Sequence, residues 1–122
     1  MIEAHIIREI DRRLEFLLLK RAENQFYPGL WQMVTGNIIS AEKAFETALR
    51  EIKEETGLTP LKLWIVPTIN SFYELQDEYI CLLPVFVAKV DAGSKIIISD
   101  EHKEYKWLEK DKAKAVKSMS LI

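Results

Sequence analysis

The order of strand and helix patterns along the 122 residues predicts an α+β fold. β-Branched and aromatic residues indicate strands near both ends of the chain, and one long amphipathic helix pattern lies between them. No low-complexity stretch, linker or internal repeat interrupts this order in the sequence. Residues 1–122 are therefore expected to form a single domain, a usual length for one hydrophobic core.

The first third of the chain is predicted to form a hairpin, a loop and a short strand. The two hairpin strands are expected at residues 3–9 and 14–20, on either side of a polar turn. A proline followed by a glycine indicates a loop over residues 24–29. Residues 31–35 should then form a short strand that leads to Gly36.

A long helix is predicted over residues 42–56, with one face turned to a core. Apolar side chains recur at helical spacing along this face, at Ala44, Phe45, Ala48, Leu49 and Ile52. Ser40 is expected to cap the N-terminus of the helix. Gly57 is placed to end the helix in a left-handed conformation.

The remainder of the chain is predicted to be mostly strand. Runs rich in β-branched and aromatic residues indicate three strands and two shorter candidates, at residues 61–68, 71–75, 78–90, 94–99 and 105–108. A second, weaker helix pattern covers residues 110–118. Cys81 is interpreted as a buried structural thiol because its neighbours are apolar.

Composition and charge exclude several classes of function. The chain is 48% hydrophobic and 30% charged, which is typical of a soluble globular protein. Its net charge of −2 argues against a polynucleotide partner, since binding to a phosphate backbone favours a basic surface. A single cysteine excludes an intramolecular disulfide and a cysteine-based zinc site. Charged residues interrupt the apolar N-terminus, so no signal peptide or membrane anchor is expected and a cytoplasmic location is predicted.

The acidic residues of the long helix are not explained by helix stability. Glu51 and Glu55 stand four residues apart, where like charges repel, and Glu54 lies next to them on the outer side. Glu54 and Glu55 also occupy the last turn, where the helix dipole favours basic residues. Arg50 is four residues from Glu46 and Glu54 and is expected to pair with either, which leaves Glu51 and Glu55 without a cation.

The simplest source of the missing positive charge is a metal ion. Carboxylate oxygens on a rigid helix suit Mg²⁺ or Mn²⁺, which bind phosphate oxygens beside one or two protein carboxylates. The alternative is a solvated acidic face that binds nothing. Like charges four residues apart and acids in the last turn both destabilise a helix, and their occurrence at one place favours the metal site.

The motif around these acids resembles the Nudix box at each of its specified positions. These positions are Gly36, Glu42, Arg50-Glu51, Ile52, Glu54-Glu55, Gly57 and Leu58. The resemblance implies a hydrolase that cleaves nucleoside diphosphates linked to another group, with divalent metal held by the glutamates of the box. It also implies the Nudix fold, an α/β/α sandwich with a mixed central sheet, in which the box forms a loop-helix-loop.

Segments on both sides of the box are similar to one subgroup of that family. The run Gly29-Leu30-Trp31-Gln32-Met33-Val34-Thr35-Gly36 resembles the subgroup that contains dihydroneopterin triphosphate and dATP pyrophosphohydrolases. The run Ser99-Asp100-Glu101-His102 resembles a later segment of those enzymes, where the glutamate serves as a further metal ligand or as the base. Residues 37–41 depart from the subgroup, which usually has acids there, because all five are uncharged.

The resemblance assigns roles to five residues of the site. Glu51 and Glu55 are expected to be the principal metal ligands, and Glu54 a further ligand or a catalytic carboxylate that acts through bound water. Glu101 is the candidate for an extra metal ligand or the general base. Arg50 is expected to orient a carboxylate through a bidentate pair.

Three residues outside the metal site are candidates for substrate binding. Lys20 and Arg21 end a predicted strand near the cleft and are expected to hold phosphate, although a basic pair at a strand end is more often only solvated. Trp31 is a candidate for stacking on a base, although aromatic residues in strands more often belong to the core.

The predicted activity is Mg²⁺-dependent hydrolysis of a pyrophosphate linkage by metal-activated water. The substrate is expected to be a small phosphorylated molecule, either a nucleoside triphosphate-like compound or a nucleoside diphosphate linked to another group. A diadenosine polyphosphate or damaged-nucleotide pyrophosphatase is the alternative enzyme, and a Nudix-fold ligand sensor is the alternative without catalysis. A monomer and a homodimer both remain open.

Overall fold

The computed structural model describes residues 1–116, which form seven strands and two helices. In chain order these are β1 (Ile2–Ile10), β2 (Arg13–Arg21), β3 (Trp31–Gln32), β4 (Val34–Gly36), α1 (Ala44–Thr56), β5 (Lys62–Glu74), β6 (Tyr79–Lys89), β7 (His102–Glu109) and α2 (Lys110–Val116). The predicted hairpin, loop and long helix are present in the expected order, whereas the one short strand predicted over residues 31–35 is divided into β3, which pairs with β2, and β4, which pairs with β1. Residues 117 and 118, the end of the predicted second helix, lie outside the described residues.

The strands form one mixed sheet, which confirms the α+β class. The order across the sheet is β3-β2-β1-β6-β5, with β4 paired to β1 and β7 paired to β2. Only β1 and β6 run parallel among these pairs, and the others are antiparallel. The pairing of β2 with β7 matters most for the site, because it brings a segment from the end of the chain beside the N-terminal hairpin.

The box helix α1 packs on the sheet through small and branched side chains. Ala48 and Ile52 are fully buried and belong to the same apolar cluster as Ile2, Ala4 and Ile6 of β1. The helix ends at Gly57 with φ of 74°, a left-handed conformation that glycine adopts without a steric penalty. The predicted end of the helix is therefore confirmed.

The start of α1 differs from the prediction. Ser40 is not the N-cap, since it lies in a preceding turn with φ of 49° and the helix begins at Ala44. The carboxylate of Glu46 instead accepts a hydrogen bond from the backbone N–H of Lys43 at 2.9 Å. This bond satisfies a donor at the helix start and places the first turn after Lys43.

The apolar face of α1 is narrower than expected. Phe45 and Leu49 remain 46% and 38% exposed, although both were expected to face the core. They line an open groove with Leu63 and Ile65 of β5, so this side of the helix is not covered.

Two strand predictions after the helix are wrong in detail. Residues 61–68 and 71–75 form the single strand β5, whose pairing with β6 shifts between Ile65 and Ile69. Residues 94–99 form no strand. Their β-branched side chains suit a strand, but the backbone N–H of Ile97 donates to the carbonyl of Thr56 at the end of α1.

The far end of the β5–β6 hairpin, residues 69–84, is called the distal hairpin below. Strand β6 pairs with β1 only from Val85 to Lys89, so within the described residues this part of β6 pairs only with β5. Cys81 lies here and is only half-buried, beside Ile80 and Leu82, which are 69% and 65% exposed. The interpretation of Cys81 as a buried thiol is wrong, because apolar neighbours do not ensure a covering layer.

No helix within residues 1–116 is long and apolar enough to cross a membrane.

Candidate active site

Glu55 is the most unusual group of the predicted metal site. It is 2% exposed, and its Oε2 atom has no hydrogen-bond partner among the described residues. Burial raises the pKa of this carboxyl group well above its ordinary value, and the nearby Glu51 and Glu101 carboxylates raise it further. The position therefore suits either a protonated acid or a carboxylate that is bound to a cation.

The last residue of the loop before β7, Glu101, and the first residue of β7, His102, bring two further ligand-type groups to Glu55. Ligand atoms of Glu55, Glu101 and His102 all lie within 4.8 Å of one another. The pairing of β2 with β7 creates this contact, because Arg21 is the cross-strand partner of His102 and Ala22 N–H donates to the Glu101 carbonyl at 2.9 Å. The Glu101 carboxylate, from the C-terminal part of the chain, is thereby placed against α1.

His102 is buried in a neutral form. Its Nδ1 lies 3.9 Å from Glu55 Oε1 and has no hydrogen-bond partner among the described residues, whereas its Nε2 lies 3.2 Å from the side-chain nitrogen of Gln32. Burial, and to a lesser extent the positive charge of Arg21, lower the pKa of His102 to about 4. At neutral pH the ring is uncharged, and because Nε2 accepts from the Gln32 amide group, the ring proton is on Nδ1, the nitrogen that faces Glu55.

Arg50 binds three acids, one in the loop before α1 and two in α1 itself. Its Nε and Nη2 donate to Glu42 Oε2 and Oε1 at 2.7 and 3.1 Å, a bidentate pair that lowers the pKa of Glu42 to about 2. Its Nη1 donates to Glu51 Oε1 at 2.6 Å and to Glu54 Oε2 at 3.2 Å. The carbonyl of Asn37 accepts a further bond from Nη2 at 2.9 Å, so the guanidinium also holds the preceding loop.

These contacts correct the expected pairing of the acids. Glu51 does have an internal cation, because the Arg50 side chain turns back over its own turn of the helix and reaches it. The pairing of Arg50 with Glu54 is present, but Glu46 is used at the helix start instead. Within residues 1–116, Glu55 forms no ion pair with a lysine or an arginine. Of the two acids that were expected to lack a basic partner, only Glu55 lacks one.

The backbone of Gly36 passes so close to the Glu51 side chain that a residue with a Cβ atom would overlap it. A Cβ atom at this position would lie 2.3 Å from Cγ and 2.8 Å from Oε2 of Glu51, closer than real atoms approach. The end of β4 therefore lies directly against the Glu51 side chain and fixes its position. Close backbone approach at a site of this kind is a recognised reason for glycine.

The three candidate substrate-binding residues lie on the strands beside this site. Lys20 and Trp31 are cross-strand neighbours, with the Lys20 ammonium 5.6 Å and the Lys106 ammonium 4.1 Å from the centre of the Trp31 ring. Lys20 also forms an ion pair with Glu104 at 3.4 Å. Arg21 donates from Nε to the Phe26 carbonyl at 2.5 Å and lies near enough to act on the pKa of His102. Their role in substrate binding stays a prediction.

The structure brings most of the predicted site residues together and adds three others. Glu51, Glu55 and Glu101 meet at the edge of α1, whereas the Glu54 side chain is 57% exposed on the outer side and is held by Arg50. Sequence reasoning did not anticipate Glu42 as the main partner of Arg50, or the positions of Gln32 and His102. The signals for them were present, because Glu42 belongs to the box motif and Gln32 and His102 stand in the two flanking runs.

Comparison with known proteins matches almost the whole chain to one family. The model of the NUDIX domain family matches residues 3–120. The bis(5'-nucleosyl)-tetraphosphatase of Mus musculus is 32% identical over 111 residues, which cover 85% of this chain and 71% of the relative. The nucleoside triphosphatase NudI of Salmonella paratyphi B is 30% identical over 101 residues, which cover 76% of this chain and 72% of the relative.

Solved structures agree with the fold. A crystal structure of a Caenorhabditis elegans Ap4A hydrolase binary complex matches with a TM-score of 0.77 and 25% identity, covering 94% of this chain and 82% of that one. The dihydroneopterin triphosphate pyrophosphohydrolase of Escherichia coli matches with a TM-score of 0.75 and 22% identity, covering 97% and 86%. At that identity the second match supports the fold alone.

Proposed function

Because the chain belongs to the Nudix family, we propose that it hydrolyses a pyrophosphate linkage in a nucleotide-like substrate and uses Mg²⁺, with Mn²⁺ as a substitute. The membership follows from the family match over residues 3–120 and agrees with the box motif read from the sequence. The site residues and the choice of metal are part of the proposal.

The buried carboxyl group of Glu55 is the observation that carries this proposal. An oxygen without a partner in a buried carboxyl group costs roughly 1–3 kcal/mol, and such groups require an explanation. The Glu51 and Glu101 carboxylates add negative charge around Glu55, and this charge favours the binding of a cation beside it. Carboxylate oxygens in this number suit a hard divalent ion such as Mg²⁺, whereas the set contains no cysteine.

Glu51 and Glu55 would hold the metal, with Glu101 as a further ligand or as the base that accepts a proton from the attacking water. Glu54 would act through bound water, since it lies on the exposed side of the helix. Arg50 orients Glu51 and Glu54 through its Nη1 atom and is itself fixed by Glu42.

The chemistry follows from the charge of the substrate. When bound, Mg²⁺ supplies neutralisation of the phosphate oxygens and a lower pKa for the attacking water. The protein contributes position and charge: Lys20 and Arg21 would bind phosphate, and Trp31 would contact the base. His102 lies beside Glu55 and adds no charge to the site.

A nucleoside triphosphate-like compound or a nucleoside diphosphate linked to another group is the proposed substrate. A dinucleoside polyphosphate is the second candidate, which the 32% identity to the mouse tetraphosphatase favours. Both substrates contain the same reacting bond and differ in the group beyond it, so the metal site alone does not separate them.

The test is a substrate screen with the purified protein and Mg²⁺. Nucleoside triphosphates, dihydroneopterin triphosphate, dinucleoside polyphosphates and nucleotide sugars are incubated separately, and the products are separated by anion-exchange chromatography. We expect metal-dependent cleavage within the phosphate chain, and no cleavage by the Glu55→Gln variant. Tight binding of one compound without cleavage would contradict the enzymatic proposal and favour a ligand sensor.

A further inference from the structure

Two neighbouring side chains of the candidate active site each bury a polar atom that has no hydrogen-bond partner among the described residues. The two atoms are Nδ1 of His102 and Oε2 of Glu55. The side chains of His102 and Glu55 are 1% and 3% exposed, so both are almost inaccessible to solvent. Buried polar atoms are nearly always hydrogen-bonded in native proteins, and an exception often marks a functional group.

Strand pairing brings Gln32 to the other side of the His102 ring. Gln32 of β3 is the cross-strand partner of Leu19, and His102 of β7 is the partner of Arg21. Leu19 and Arg21 are two residues apart in β2, so their partners on its two edges point to the same face of the sheet. The side chains of Gln32 and His102 therefore meet across β2.

The contact with Gln32 determines which nitrogen of His102 carries the proton. The side-chain nitrogen of Gln32 lies 3.2 Å from Nε2 of His102, and an amide nitrogen only donates. Nε2 therefore supplies a lone pair, and the single proton of the neutral ring is on Nδ1. The ring is held as a hydrogen-bond donor on the side that faces Glu55.

This tautomer argues against a direct bond between His102 and a metal ion, although the position of the ring would allow one. Ligand-type atoms of Glu55, Glu101 and His102 lie within 4.8 Å of one another. A metal ion at Nδ1 would require the lone pair of that nitrogen, and the ring proton would then be on Nε2, directed at the hydrogens of the Gln32 amide group. The carboxylates remain as ligands, and His102 has a hydrogen atom to donate.

Glu55 provides an acceptor for this hydrogen atom. Its Oε1 lies 3.9 Å from Nδ1 of His102, which is longer than a hydrogen bond, and a movement of about 1 Å would bring the two atoms to the usual distance. A carboxylate that binds a metal ion still has lone pairs for a neighbouring donor. Donors of this kind, which do not touch the metal, fix the orientation of the groups that do.

We propose that His102 is a positioning residue of the metal site, whose Nδ1–H group donates a hydrogen bond to the Glu55 carboxylate when a divalent ion is bound. Gln32 fixes the ring tautomer that this bond requires. The inference rests on the proposed function, because it needs Glu55 as a metal ligand. It adds roles for Gln32 and His102, which lie outside the box helix.

The first test locates the ring proton by NMR spectroscopy of the ¹⁵N-labelled protein. The chain has two histidines, so the variant His5→Gln identifies the signals of His102. We expect a proton on Nδ1 and none on Nε2, without metal and with saturating Mg²⁺, and a downfield shift of the Nδ1 proton when Mg²⁺ binds. A proton on Nε2 in either state, or an Nδ1 proton that does not shift, would overturn the proposal.

The second test removes the donor and measures metal affinity without turnover. His102→Leu fills the buried position and should leave the melting temperature of the metal-free protein close to that of the parent. Its dissociation constant for Mn²⁺, measured by isothermal titration, should rise about 10- to 100-fold. His102→Asn, whose amide nitrogen can replace Nδ1 as a donor, should recover most of the affinity. The control is His5→Gln, which should bind Mn²⁺ as the parent does.

These measurements separate the role of His102 from the proposed function. A parent protein that binds no Mn²⁺ would contradict both. A parent that binds Mn²⁺ and hydrolyses its substrate, together with an unchanged affinity in His102→Leu, would overturn the role of His102 alone. The same conclusion would follow if His102→Asn lost as much affinity as His102→Leu. The NMR test keeps the native ring, so it decides the tautomer even if His102→Leu does not fold.

Discussion

At the residue scale, Glu55 is a buried carboxyl group whose surroundings disfavour its charged form. Its neighbours Glu51 and Glu101 are acids and His102 beside it is neutral, and the positive charge of Arg21 offsets only part of their effect on the pKa of Glu55. The fold buries it all the same, which disfavours ionisation in the absence of metal. Proteins retain such an arrangement where it serves binding or catalysis rather than stability.

Glu55→Gln should separate catalysis from folding. A glutamine has nearly the shape of the protonated acid and cannot ionise next to Glu51, so the melting temperature without metal should equal or exceed that of the parent. Hydrolysis should fall by orders of magnitude because a charged ligand is lost. Differential scanning calorimetry and steady-state kinetics measure the two effects, with Glu9→Gln on the exposed surface of β1 as the control. Activity within a few-fold of the parent would mean that Glu55 is not a principal ligand.

Glu101→Gln tests the one acid of the site that lies outside the box helix. If Glu101 is the base or completes the metal site, kcat should fall by about 10²-fold or more with little change in KM. The control is Asp100→Asn, which removes the exposed carboxylate that precedes Glu101 in the chain. Stability of either variant should change by no more than about 0.5 kcal/mol, as for other surface substitutions. A normal kcat across the pH range for Glu101→Gln would move the base to another residue.

At the scale of elements, the site depends on contacts between segments that the sequence pattern does not describe. Helical spacing predicted α1 and its end, because apolar periodicity and a terminal glycine are local signals. It did not predict that Arg50 reaches Glu51 or that Glu46 starts the helix, because side-chain direction and competition among acceptors decide these bonds. Residues 94–99 were mistaken for a strand for a similar reason: strand propensity is present, but the backbone partner belongs to α1.

Gly36→Ala tests the contact between β4 and α1. The added methyl group would overlap the Glu51 side chain, so Glu51 must leave its position while the helix remains folded. Displacement of a group at a metal site typically costs 10- to 100-fold in affinity or activity, and we expect a loss of about that size in both. Isothermal titration with Mn²⁺ and turnover measurements provide the two values. Gly93→Ala is the control, because its nearest neighbour would be 3.9 Å away. Equal behaviour of the two variants would remove Glu51 from the ligand set.

At the scale of the whole molecule, the class of fold followed from the order of elements, but the sheet order did not. Local patterns contain no information on which strands pair, and the parallel pair β1–β6 joins segments that are far apart in the chain. The placement of Glu101 against α1 came from resemblance to a family and not from periodicity, since it depends on the long-range pairing of β2 with β7. The exposed distal hairpin was missed because strand signals do not reveal whether a layer covers them.

Divalent metal should stabilise the whole molecule, because the proposed ligands come from α1 and from the loop before β7. A cation that binds only the folded chain adds about 2.7 kcal/mol at one hundred times its dissociation constant. For a chain of this length that corresponds to a rise in melting temperature of roughly several degrees. Calorimetry with Mg²⁺ or Mn²⁺ should show this rise, and a chelator should reverse it together with the activity. Sodium chloride at equal ionic strength controls for screening, and Glu55→Gln should lose most of the rise. If the parent shows no shift with either metal, even with a nucleotide present, the assigned site is wrong.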